Sequence, residues 1–68
     1  MTMAEMIEVA PGLSLPEDWI ITTVRGVSPG TSARHLAMFP KGQAVIVSPE
    51  RDTGKGRVEF RLAHAPEA

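Results

Sequence analysis

The segment Arg57-Val58-Glu59-Phe60-Arg61-Leu62 alternates charged and apolar side chains without a break. A period of two is the mark of an extended strand with one buried face and one solvated face. The spacing predicts a strand over 56–63, with Val58, Phe60 and Leu62 facing a core and Arg57, Glu59 and Arg61 facing solvent. Everything else in a chain of 68 residues has to be arranged around that strand.

Its neighbours are to be sought among the other β-rich runs. Gln43-Ala44-Val45-Ile46-Val47-Ser48 is continuously apolar in its middle, as expected of a central strand buried on both faces or nearly so, and Pro49 should end it. The residues from Glu50 to Lys55 then read as a charged loop containing a glycine. Trp19-Ile20-Ile21-Thr22-Thr23-Val24 is almost wholly aromatic and β-branched, so a strand is expected over 18–25. That content outweighs the capping-box form of Ser14-Leu15-Pro16-Glu17, which taken alone announces a helix.

Residues 32–39 are ambiguous in composition. Ala33, Arg34, Leu36, Ala37 and Met38 are good helix formers behind a Thr31 cap. Pro40-Lys41-Gly42, however, has the form of a three-residue hairpin loop, which makes 33–39 a strand paired with 43–48. The hairpin is the reading adopted. Pro11-Gly12 breaks any regular element near the N-terminus, where Met3, Met6 and Ile7 could cover part of the core. The tail 64–68 is expected to fray. The fold class expected is a small β-rich domain, all-β or α+β: a three- to four-stranded antiparallel meander with room for one short helix. It forms a single domain over 1–68, with an acidic N-terminal segment over 1–14.

Composition narrows the function classes. Most of the large apolar side chains fall between Trp19 and Leu62, and so short a chain without staples often leans on a partner or on a second copy of itself. There are no cysteines and no apolar run of membrane-spanning length, and the acidic N-terminus has no basic stretch before an apolar run, so no secretory signal is expected. A cytoplasmic location is the expectation. The net charge is −1, with Glu5, Glu8, Glu17 and Asp18 unopposed over residues 1–18 and the seven basic residues all beyond them. A pI near 6.0 speaks against a dedicated nucleic-acid binder, which usually carries a clustered basic stripe.

No catalytic or metal-binding motif stands out. His35 and His64 are the only histidines, and neither has acidic residues at ligand spacing, so no metal and no cofactor are expected. Thr53-Gly54-Lys55-Gly56 lacks the leading glycine and the trailing Ser or Thr of a phosphate loop. The stretch from Ser32 to Phe39, the Pro-Lys-Gly turn and Val45-Ile46-Val47-Ser48-Pro49 resemble the β-hairpin of HicA-type RNA-cleaving toxins. That resemblance covers under a third of the chain and implies His35 as a catalytic residue. The Gly-Ser-His triplet of the family is missing, and Ser48 separates Val47 from Pro49.

The candidate site lies instead in the final hairpin. Arg51, Lys55, Arg57 and Arg61 supply four of the seven basic residues, with Glu59 among them. A rigid strand bearing arginines at spacing two makes a mixed-charge recognition face, and arginine is favoured in binding hot spots. The same charges would also guard an edge strand. The expected function is a non-catalytic protein-binding module that inhibits or modulates a larger macromolecule, the class to which anti-defence inhibitors such as anti-CRISPR proteins belong. The alternative is nucleic-acid binding, with or without cleavage through His35. A protein is the expected partner, with nucleic acid second, a homodimer as a further state and no membrane.

Overall fold

The alternating segment forms the centre of the molecule. In the computed structural model, which describes residues 4–66, it is the strand β5 (Arg57–His64). Before it in the chain come β1 (Met6–Ala10), β2 (Leu13–Pro16), β3 (Ile20–Val27), the helix α1 (Thr31–Leu36) and β4 (Ala44–Gly54). Phe60 is 1% exposed and Leu62 is 2% exposed, the two largest fully buried side chains, and Val58 is buried beside them. The small β-rich fold with antiparallel sheets and one short helix is therefore as expected. Met3, assigned to the core from sequence, lies outside the described residues, as do positions 67 and 68.

The connectivity is not a meander. The three-stranded sheet has the order β3-β5-β4, so β5 is inserted between its two predecessors. Both neighbours run antiparallel to β5 and hence parallel to each other, joined through α1 as a split βαβ unit. Directly opposed residues share a face. Thr22, Leu62 and Ile46 form one cross-strand row, and Ile21, Ala63 and Val45 form the next, on the other face. On the first face α1 packs over β5, with the His35 ring edge-on to Phe60 at 5.8 Å between centroids and 69° between planes. On the second face Leu15 closes against Val47 and Ala63, with Val9, Leu13, Trp19 and Val45 around them.

That second covering layer is a separate two-stranded sheet of β1 and β2. Pro11-Gly12 joins them as a two-residue loop between Ala10 and Leu13, with Gly12 at φ 76. Proline followed by a glycine at positive φ is the type II pattern. Such turns splay the strands they connect, and a register shift follows between Glu8 and Ala10. Met6 and Ile7, expected to cover the core, are exposed. Val9 and Ala10 do so in their place.

Residues 33–39 are not a strand. Thr31–Leu36 is helical, entered from Gly30 at φ 92, with no cap from its own side chains. The cap comes from β4. The Glu50 carboxylate accepts hydrogen bonds from the backbone N–H of Gly30 and of Ser32, each at 3.0 Å, and from the Ser32 hydroxyl. An anion on the free N–H groups of a first helical turn satisfies donors that the helix leaves unpaired. The Pro40 turn does form, with Gln43 N–H donating to the Pro40 carbonyl at 3.0 Å, but it links the helix to β4 instead of linking two strands.

β4 also departs from expectation. It is an edge strand, not the central one, and it runs through Pro49 as far as Gly54 in place of a loop over 50–55. The apolar run misleads because layers on both faces cover Val45, Ile46 and Val47 although one edge is free. Proline is tolerated on an edge, where no partner needs its N–H. Ser48 pairs with Arg61 and Arg51 with Glu59, so Pro49 and Glu50 together stand opposite Phe60 as a bulge. Gly54 and Arg57 close the final hairpin around Lys55 at φ 58 and Gly56 at φ 73, the two positive values of a type I′ turn. His64, expected in a frayed tail, ends β5 half-buried and stacked on Phe39 at 4.9 Å. The Ala65 N–H beyond it donates to the Gln43 carbonyl at 2.8 Å.

Three outcomes follow for stability. Phe60→Ala should cost about 3–5 kcal/mol in denaturant unfolding, since it empties the most enclosed large site of the central strand. Lys55→Asn should stabilise by roughly 0.5–1 kcal/mol in the same measurement, because asparagine tolerates the left-handed region better than lysine. Hydrogen bonds from Ser32 Oγ first, then from the backbone of Gly30 and Ser32, hold the Glu50 pKa below its ordinary value of 4.5. A depressed folded-state value stabilises above the unfolded-state pKa and is lost as pH falls through the folded one. In thermal melts across pH the parent protein should accordingly lose stability as pH falls below about 4.5, and Glu50→Gln should lose less.

Candidate functional site

The hairpin of β1 and β2 covers only one end of its sheet face, around Ala63 and Val45. The other end of that face is open, and the pleat brings charged residues there from all three strands. Thr23, Arg61 and Ser48 form one row across the sheet, and Arg25, Glu59 and Arg51 form the next. These rows floor and rim a concavity of about 540 Å³, within the range of small binding sites.

Glu59 organises it. Its Oε1 lies 3.4 Å from Arg25 Nε and its Oε2 lies 3.2 Å from Arg51 Nη2, one arginine from each flanking strand. The two arginine side chains are 74% exposed and that of Glu59 is 21% exposed. Ion pairs so open to water contribute roughly 0.2–1 kcal/mol each to stability, so their main effect is on position. Both carboxylate oxygens are occupied within the sheet, which leaves Glu59 little to offer a partner. Arg61, exposed one row away, has no acidic group within ion-pair distance among the described residues. Glu50 lines the same concavity, but its carboxylate is committed to the helix. The open surface is therefore cationic, not evenly mixed.

Of the residues singled out from sequence, Arg51, Glu59 and Arg61 come together in this concavity. Arg57 sits on the same strand but reaches sideways, its Nη1 donating to the Gly26 carbonyl at 3.5 Å. Lys55 lies at the hairpin tip, away from the rest. Arg25 was not singled out, because only the pairing of β3 with β5 reveals that it stands beside Glu59. The run from Trp19 to Val24 does not alternate, so no local signal marks the face on which Arg25 stands.

The hairpin that carries the resemblance to HicA-type toxins is absent, since Thr31–Leu36 is helical. His35 is half-buried against Phe60 and serves the packing of α1. A second concavity, of about 690 Å³, opens beside Phe39 and His64 and is lined mostly by uncharged groups, with Met38 exposed at its rim. Among the described residues no three His, Asp or Glu side chains converge as metal ligands would, and no helix is long and apolar enough to cross a membrane. Comparison of the chain with protein-family models, with curated proteins and with solved structures finds no match.

Proposed function

We propose that the protein is a non-catalytic binding module that docks an acidic surface of a larger protein through the face carrying Arg25, Arg51 and Arg61, and thereby inhibits or modulates that protein. The observation that carries this reading is the clamp on Glu59. One half-buried carboxylate pairs with two arginines from opposite edges of the sheet, which restricts their guanidinium groups before any partner arrives. Less side-chain freedom is then lost on docking. Guanidinium groups present several N–H donors in a fixed fork that suits carboxylates.

A protein partner is favoured over nucleic acid on two grounds. Phosphate recognition on an open sheet is commonly joined by exposed aromatic platforms, and the only aromatic ring at this concavity, Phe60, is buried. The net charge of −1 also gives little long-range pull on a polyanion. Recovery of the partner from host lysate, followed by titration with purified material, tests the reading. Arg61→Glu should abolish binding while unfolding free energy moves by no more than ~0.5 kcal/mol, as for other exposed substitutions. An affinity for RNA or DNA that falls about 10³-fold between roughly 50 and 200 mM salt would overturn it in favour of nucleic-acid binding.

A further inference from the structure

The two free edges of the three-stranded sheet are built differently. On β4 the edge is interrupted by Pro49, by register shifts at Ile46/Ser48, Ser48/Arg51 and Asp52/Gly54, and by the charges of Glu50, Arg51 and Asp52. Those are the usual devices that keep a sheet edge from pairing with another chain. On β3 none of them occurs between Ile20 and Val24. That stretch is uncharged, has no proline, keeps regular register with β5 and breaks only at the Gly26 bulge. Ile20 is 48% exposed and Ile21 is 44% exposed, one on each face of the sheet. A regular, β-branched, uncharged edge is a template for another strand.

We propose that the β3 edge pairs with the β3 edge of a second copy of this chain, giving a two-fold dimer with a continuous six-stranded antiparallel sheet. Charge distribution selects the second copy as occupant. The residues preceding β3, Glu17 and Asp18, are acidic, and its far end carries Arg25 and the Arg57 guanidinium on the Gly26 carbonyl. Antiparallel self-pairing lays the acidic end of each copy along the basic end of the other.

Symmetry then restricts the register. Two antiparallel copies of one strand are related by a two-fold normal to the sheet, with one residue opposite itself. Thr22 is the centre of the regular stretch, so it falls on the axis. Ile20 then faces Val24 of the second copy, Ile21 faces Thr23, and Trp19 faces Arg25. Asp18 faces Gly26, beside the Arg57 of that copy. Centring on Thr23 instead would set Ile20 against the bulge.

The chain lacks cysteine, so single-cysteine variants report the register directly. Sedimentation equilibrium should give a concentration-dependent mass approaching twice 7.3 kDa for the parent protein. Thr22→Lys, which sets two like charges opposite each other at the axis, should raise the dissociation constant at least about tenfold. Under mild oxidation Thr22→Cys should form a disulfide-linked dimer, and Thr53→Cys on β4 should not. A parent protein that stays monomeric into the millimolar range overturns the proposal. So does a dimer that survives Thr22→Lys unchanged, or one that is cross-linked as well through Thr53→Cys. Should Thr22→Lys fail to fold, the cross-linking pair still decides. A monomer whose β3 edge binds only a heterologous partner counts as failure. None of these outcomes depends on whether the arginine face binds a protein.

Discussion

The Pro49–Glu50 bulge opposite Phe60 couples the layers of this molecule. A regular strand at that point would put Glu50 in the ladder and leave the first turn of α1 with unpaired N–H groups. The bulge turns the carboxylate toward Gly30 and Ser32, and the helix it caps carries His35 onto Phe60. The same extra residue resets the register of β4, so that Arg51 arrives beside Glu59. Helix position, burial of the central aromatic and geometry of the cationic face thus share one irregularity. Proline at its start is compatible with that irregularity, because it has no N–H that the ladder would leave unpaired.

β5 was legible as far as Ala63 because alternation records which face is wet, and that is a local property. Its place in the sheet was not legible, since alternation says nothing about which strand lies on either side. Val45, Ile46 and Val47 illustrate the converse. A strand covered above and below reads as central even when one of its edges is free. The place of the one short helix was not legible for a different reason. The decisive cap, Glu50, lies eighteen residues from Ser32 and twenty from Gly30, beyond the reach of any local capping rule. Of the site, the arginines on β4 and β5 were visible as a cluster along the chain. Arg25 entered it only through cross-strand pairing, and the removal of Glu50 from the exposed charge balance required the cap.

The split between the two ends of one sheet face has a simple physical origin. Ala63 and Val45 offer an apolar floor, and Leu15 and Trp19 close over it. One row along, Arg61 replaces Ala63 in the same alternation, and two rows along stands Glu59. Burying that stretch under a second layer would desolvate charges whose pairing in this sheet is worth little. The β1–β2 hairpin therefore stops where the apolar floor stops. What remains open is set by the cost of covering arginine, and the surface left over carries exposed guanidinium groups.

Edge pairing and the arginine face bear on one another through the direction of the two-fold axis. An axis normal to the sheet keeps equivalent faces on the same side, so pairing through β3 would align both cationic concavities on one surface of the extended sheet. Arg25 lies on β3 itself and would stand near the seam, with Arg51 and Arg61 farther out in each copy. A partner presenting two acidic patches could engage both, and the second contact would form at the high effective concentration of a tethered site. A partner with one patch would gain nothing from the dimer. The stoichiometry of the complex therefore distinguishes a paired surface that works as a unit from two modules that happen to share an edge.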